Sequence, residues 1–289
     1  MLKRLSFLCL ALLALAACSN NNDNAGSASQ PAPAATAPAA QPPAAATAAA
    51  PATTGTAAPA AASTTAQAPA PAPAAPAAAP FVDDGKWVEG KHYTRIEPAQ
   101  PKLTTTDKIE VVEVFSYGCP ACNQFHPTMN KLAAELPSDA VMAYLPASFM
   151  PQENWPMLQR AFLTAQALGV ADKANDAMYD AVWKTNELSA MAPSGRGLKP
   201  ASALPTLDDA AKVYAKFGAD PKEFMAVANS FTINTKVKRS DELVKAYGVE
   251  GTPTIVVDGK YRLDRGTAGG DEQVIELVKW LVSKEAAGK

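Results

Sequence analysis

Cys119 and Cys122 stand two residues apart in the run Phe115-Ser116-Tyr117-Gly118-Cys119-Pro120-Ala121-Cys122, where an apolar stretch ends. Two thiols at that spacing can form a redox dithiol or half of a zinc site. The flanks favour redox chemistry: Val111 to Phe115 reads as a strand, Gly118 breaks it, and Pro120 suits the first turn of a helix, where its missing N–H costs nothing. Cys119 then falls at the helix N-terminus, whose unpaired N–H groups and dipole stabilise a thiolate. Cys122 lies about one turn deeper and should be the less accessible sulfur. Glu113 interrupts the apolar run; buried there, it would have a raised pKa and could exchange a proton with Cys122, whereas a solvent-facing strand position would abolish that role. His126 completes a C-x2-C-x3-H pattern that could offer three metal ligands. No fourth ligand lies close and His92 is the other histidine of the chain, so a solvent-facing helical position is expected for His126.

The dithiol is the pair left after the N-terminus is accounted for. Lys3 and Arg4 precede an uncharged apolar stretch, Leu5 to Ala17, which is shorter than a membrane-spanning helix requires and reads as a signal peptide over 1–17. Leu15-Ala16-Ala17-Cys18 resembles the lipobox of bacterial lipoproteins, which implies cleavage before Cys18 and lipidation of that residue. Ser19 rather than Asp follows, which in that family points to the outer membrane. Cys9 leaves with the leader and Cys18 carries lipid, so Cys119 and Cys122 are an isolated pair in an exported chain, suited to working chemistry rather than a disulfide framework.

Residues 18–82 read as a disordered Ala/Pro-rich linker: from Asn24 to Val82 there is no Asp, Glu, Lys or Arg, and such composition cannot build a packed core. About 60 residues of flexible coil would span on the order of 45 Å. With Lys3, Arg4 and Asp23 set aside, the remainder carries 24 basic and 27 acidic residues, a balance that argues against nucleic acid as a partner.

The elements that must position the chemistry follow from pattern. An edge strand is expected at 93–97, a buried strand at 109–115, a helix at 120–136 and a strand at 141–145, which is a βαβ beginning. Residues 146–231 then turn helical, with runs near 157–168, 174–185 and 207–217 and a Pro-, Gly- and Ser-rich loop at 189–205. An amphipathic helix at 235–247, a strand at 254–257, an Asp258-Gly259 hairpin turn, a strand at 260–263 and a helix at 271–284 complete the chain. Trp155, Trp183 and Trp280 fall in helices as core residues.

This order is similar to an α/β thioredoxin fold with a helical insertion domain, the arrangement of the DsbA family of thiol:disulfide interchange proteins. The resemblance rests on Asp84-Gly85-Lys86 with Tyr93-Thr94, Glu113-Val114-Phe115-Ser116, Gln124-Phe125, Ala167-Leu168-Gly169-Val170, Asn229-Ser230-Phe231 and Gly251-Thr252-Pro253 followed by Gly259-Lys260-Tyr261. The 131-residue separation of Cys122 and Pro253 leaves room for the insertion. It divides the chain into a first thioredoxin-like part at 83–148, a helical insertion at 149–234 and a second thioredoxin-like part at 235–289. The resemblance implies that Cys119 is attacked by a substrate thiolate while Cys122 leaves, that Pro253 is a cis-proline facing the dithiol, that Thr252 offers backbone groups to a substrate peptide, and that Glu113 serves Cys122 as an acid. The lysine that partners this acid in the family has no counterpart in Val141-Met142-Ala143-Tyr144. Pro120 and Ala121 tune the potential; the family's strong oxidants place histidine where Ala121 stands, so the Cys119 pKa is expected below about 8.5 but less depressed than theirs.

The resemblance implies an oxidase for cysteine pairs in exported proteins, periplasmic and held to a membrane by its lipid, reoxidised by a quinone-linked membrane partner of the DsbB type and needing no bound cofactor or metal. Two alternatives use the same residues: a disulfide reductase or isomerase, and a non-catalytic lipoprotein carrying a metal through Cys119, Cys122 and His126.

Overall fold

The computed structural model describes residues 81–289; the leader, Cys18 and the Ala/Pro tract lie outside them. Five strands form one mixed sheet: β1 (Thr94–Arg95), β2 (Ile109–Phe115), β3 (Ala140–Pro146), β4 (Thr254–Val257) and β5 (Tyr261–Leu263), in the order β1-β5-β4-β2-β3. β2 is central. It runs parallel to β3, from which α1 (Pro120–Glu135) separates it, and antiparallel to β4. Its β-branched residues are buried on both faces, as a strand covered on both sides requires. Asp258 and Gly259 both adopt positive φ, 50° and 65°, which closes the β4–β5 hairpin with the twist that a two-residue turn needs.

Strand alternation divides the interior. Val112 and Val114 point to one face, where they meet Leu243 and Val244 of α6 (Phe231–Ala246) and Tyr247, which caps its C-terminus. Val111 faces the opposite side, against Phe125, Met129 and Leu132 of α1 and Leu277 and Leu281 of the last helix (Asp271–Ala286). Phe115, at the end of the strand, joins a third cluster, built from α2 (Trp155–Ala167), α3 (Ala171–Trp183), α4 (Leu207–Ala215) and α5 (Pro221–Ala228). Cys119 and Cys122 belong to this helical cluster.

The element order agrees with the sequence pattern, with four differences. A separate helix, α5, occupies Pro221–Ala228, capped by Asp220 Oδ1, which accepts from the N–H groups of Lys222 and Glu223. α6 begins at Phe231 rather than 235, because the Ser230 hydroxyl accepts from Ile233 N at 3.2 Å and starts the helix one turn early. A one-turn helix, α7 (Arg265–Ala268), precedes α8, the last helix named above, and is closed by a capping box between Asp264 and Thr267. The stretch expected as a loop at 189–205 carries an antiparallel bridge, Met191 to Leu198, and a short 3-10 turn at Ala201–Ala203. Of the tryptophans, Trp155 is buried as expected, while Trp183 and Trp280 are half-buried at the edges of their clusters.

Candidate active site

Cys119 caps α1 with an extended backbone, φ −83° and ψ 119°, and its Sγ accepts from Cys122 N at 3.3 Å. Pro120 takes the first helical position and α1 continues past Pro127 without a break. The turn entering the helix is held by Cys119 N to Ser116 O at 3.0 Å and by the Trp183 indole, which donates to Tyr117 O at 2.8 Å. Gly118 is required by packing: a Cβ there would lie 2.6 Å from Trp155 Nε1. Both thiols are free, and Cys119 is 4% exposed against 0% for Cys122, the order expected from one helical turn of depth.

The two thiols are driven apart in acidity. Hydrogen bonding from the Cys122 thiol, with smaller help from the backbone N–H groups of Cys122 and Ala121, outweighs burial and brings the Cys119 pKa down from 9.0 to about 6. Burial pushes Cys122 well above the ordinary thiol value, and the Cys119 and Glu113 charges add to the push. Opposite the dithiol, the Thr252–Pro253 bond is cis and Thr252 O accepts from the Cys119 thiol at 3.4 Å. A second cis bond, Glu97–Pro98, lies beside the edge strand. A cleft of about 440 Å³ opens on the cis-proline side, lined by Ala121, Phe125, Glu250, Thr252, Pro253 and Arg262. On the other side of the motif, Gly118, Pro120, Trp183, Met191 and Leu198 border an apolar pocket of about 290 Å³.

Glu113 lies in the middle of β2, in register with Tyr144 on β3 and Ile255 on β4. It is completely buried, so the solvent-facing alternative is excluded. Neither carboxyl oxygen has a hydrogen-bond partner, and burial, with the charge of Cys119, raises its pKa from 4.5 to about 8. Glu110, three residues earlier and equally buried, differs: its two oxygens accept from Leu103 N and Thr104 N at 2.9 and 2.6 Å. A buried glutamate that holds a loop and one left without partners occupy the same strand. Tyr144 stands opposite Glu113 in register, and its hydroxyl is held protonated by burial and by Glu113.

His126 is not solvent-facing. It is buried, its ring lies tilted by 33° against Tyr179 at 4.3 Å between centroids, and its Nε2 lies 2.6 Å from Asp176 Oδ1. The ring follows Cys122 by four residues on α1 and therefore shares its inward face, a spacing that reads as burial as soon as Cys122 does. Tyr179 and Asp176 come from α3, fifty or more residues away, and no local pattern announced them. Among the described residues, no cluster of three or more His, Cys, Asp or Glu side chains is placed to hold a metal ion.

Comparison with known proteins agrees with the geometry. Residues 105–276 match a family model described as thioredoxin. The thiol:disulfide interchange protein DsbA of Pseudomonas aeruginosa is 35% identical over 201 residues, covering 70% of this chain and 87% of that protein. Its counterpart from Azotobacter vinelandii is 33% identical over 200 residues, covering 69% and 85%. The crystal structure of Pseudomonas aeruginosa DsbA superposes with a TM-score of 0.59 at 34% identity, covering 71% of this chain and 97% of that one. The oxidoreductase DsbA from Xylella fastidiosa gives 0.59 at 29% identity, covering 69% and 98%. These similarities favour an oxidoreductase over the metal-carrier and the reductase or isomerase alternatives. The chain belongs to the DsbA family of thiol:disulfide oxidoreductases within the thioredoxin superfamily.

Proposed function

We propose that this protein oxidises cysteine pairs in exported proteins by donating the Cys119–Cys122 disulfide. One observation carries the direction: within a single helical turn the outer thiol is held near pKa 6 and the inner one well above 9. A stabilised Cys119 thiolate stabilises the reduced protein, and whatever stabilises the reduced form makes the disulfide a stronger oxidant.

A substrate thiolate attacks Cys119 Sγ, the Cys119–Cys122 bond breaks, and Cys122 leaves. Its high pKa means that it must take up a proton, and Glu113, protonated below about pH 8, supplies one. A second substrate thiol then attacks the substrate sulfur of the mixed disulfide and expels Cys119 as its stable thiolate. Two electrons have passed to the protein; of the two substrate protons, one replaces that taken from Glu113 and the other reaches water. Thr252 and Pro253 form the platform on which an extended substrate segment pairs with the backbone beside the sulfurs, and the cleft by Ala121 and Phe125 receives its flank.

The signal peptide, the lipobox-like Leu15-Ala16-Ala17-Cys18 and the Ala/Pro tract support a periplasmic protein lipid-anchored through Cys18, with 18–82 as a tether and 83–148, 149–234 and 235–289 as the divided folded part. The outer membrane is favoured by Ser19, and reoxidation falls to a quinone-linked membrane oxidase of the DsbB type. No helix among the described residues is long and apolar enough to cross a membrane. The test is Cys122→Ser, which removes the resolving sulfur: mixed disulfides should accumulate on Cys119 and be identified after isolation by mass. Recovery of no exported cysteine protein would refute the assignment.

A further inference from the structure

The cleft beside the cis-proline carries four ionic side chains, Glu250, Arg262, Asp264 and Arg265, and they are unequally committed. Two are occupied within the fold. Arg265 pairs with Asp271, and Asp264 caps α7, its Oδ1 accepting from the N–H groups of Gly266 and Thr267 at 2.7 and 2.9 Å. Glu250 is exposed at the rim of the cleft, without a hydrogen-bond or ion-pair partner among the described residues.

Arg262 is held in place but not neutralised. It is half-buried in β5, in register with Val256 on β4 and Thr94 on β1. Its Nη1 donates to Tyr247 O at 3.1 Å, at the end of α6, and among the described residues no carboxylate pairs with it. Arg95, which follows Thr94 on β1, is by contrast paired with Glu89 at 3.4 Å. The adjoining Gly248 has φ 64°, and a Cβ there would overlap the Arg262 guanidinium, so the backbone at the end of α6 is shaped to leave the arginine its position. A guanidinium has five N–H donors in a fixed fork, and one of them is used here. An anchored, half-buried cation that borders a cleft without a counter-charge offers an incoming carboxylate both attraction and charge-assisted hydrogen bonds.

We propose, on the basis of the oxidase reading of the dithiol, that Arg262 selects substrates carrying an acidic side chain three or four residues from the reactive cysteine, on one flank only. The spacing follows from the sheet. The cleft runs from Ala121 and Phe125, past Thr252 and Pro253, to Arg262. Val256, the register partner of Arg262, stands three residues after Pro253, which is about 10 Å of strand at roughly 3.4 Å per residue. A substrate extended beside Thr252 covers that length in three or four residues. Glu250 at the rim repels the same carboxylate and so weakens the preference, while Phe125 and Pro253 are indifferent to charge. The other side of the motif has no matching cation: the pocket by Gly118, Pro120, Trp183, Met191 and Leu198 has Glu153 as its ionic residue. The acidic residue therefore belongs on the cis-proline side, and the two flanks of a substrate are not equivalent.

The test is the second-order rate at which the oxidised full chain oxidises reduced two-cysteine peptides, followed by acid quenching, thiol alkylation and mass. The peptides share one cysteine pair, and a single glutamate is placed at successive positions outside either cysteine, each peptide being compared with its glutamine twin. Glutamate should raise the rate about fivefold at the third or fourth position on one flank, and high salt should reduce the gain. Arg262→Gln should abolish the gain while leaving the glutamine peptides at the wild-type rate, Arg262→Lys should keep part of it, and Glu250→Gln should enlarge it. A flat glutamate scan overturns the proposal, as does a preference that survives in folded Arg262→Gln. If Arg262→Gln does not fold, Glu250→Gln decides: a glutamate effect no larger than that of the wild type overturns the proposal. If no peptide is oxidised, the glutamine peptides included, the oxidase reading itself fails; a failure of acid selection alone leaves the glutamine peptides reacting.

Discussion

Replacing Glu113 by glutamine should stabilise the reduced protein, by an amount that depends on pH. The carboxyl is fully buried with no partner, and its pKa is raised from 4.5 to about 8. A raised folded pKa means that the native state binds the proton more tightly than the unfolded chain. That contribution is complete below about pH 4.5 and is lost as pH rises through 8. At 1.36 kcal/mol per pKa unit, the loss is about 3 kcal/mol at pH 7 and between 4 and 5 kcal/mol above pH 8.5. Glutamine keeps the shape and has no ionisation to lose. The variant and the wild type should therefore be equally stable, to about 1 kcal/mol, at pH 4, and separate by about 3 kcal/mol at pH 7. Urea unfolding of both proteins in reductant at pH 4, 7 and 8.5 measures this, because the Cys119 thiolate is common to both and largely cancels in the difference. The same substitution should change the pH dependence of dithiol reactivity. A stability difference that stays constant from pH 4 to 8.5 would refute the assignment of Glu113 as a buried, unpaired acid.

Absorbance of the thiolate at 240 nm should titrate once near pH 6, and the signal should vanish in Cys119→Ser and persist in Cys122→Ser, although removing the Cys122 thiol, the main hydrogen-bond donor to Cys119, should move the midpoint upward. Because the folded Cys119 pKa is lowered from 9.0 to about 6, its contribution to the stability of the reduced protein is present above pH 9 and lost as pH falls to 6 and below. Reduced and oxidised melting temperatures compared between pH 5 and 8 should therefore converge toward acid. Gly118→Ala should cost about 1–3 kcal/mol, since the added methyl displaces the Trp155 indole, and should slow Cys119 alkylation by disturbing the turn that presents it; an unchanged melting temperature would show that the indole has room to move.

The dithiol and its helix were legible because their signals are local. A strand run, a breaking glycine and a first-turn proline fix where Cys119 must be within eight residues. Glu113 was legible as a candidate and ambiguous as to face, since period-2 alternation states which residues share a side but not which side is covered. The sheet's two buried faces resolve it. His126 was misread for the opposite reason. A lone polar residue on a helix defaults to water, and what buries it is an aromatic ring and a carboxylate on α3, brought there by a helical block whose docking leaves no trace near residue 126. The start of α6 shifted because Asn229-Ser230 can be read as loop or as cap, and only the hydroxyl-to-amide contact at Ile233 distinguishes them.

The membership of Cys119 and Cys122 in the helical cluster, alongside Trp155, Leu158, Phe162 and Tyr179 rather than with the sheet core, bears on how this architecture can be cut. The insertion is not a removable attachment to a self-sufficient redox unit. Trimming residues 149–234 to recover a minimal thioredoxin would unroof Cys122, admit water to Glu113 and strip the wall against which Gly118 is packed. The burial that raises the Cys122 pKa would go with it. A shortened chain could retain strands, turn and both cysteines and still lose the high Cys122 pKa, so the part of the oxidising character that rests on burial belongs to the joint between the two halves.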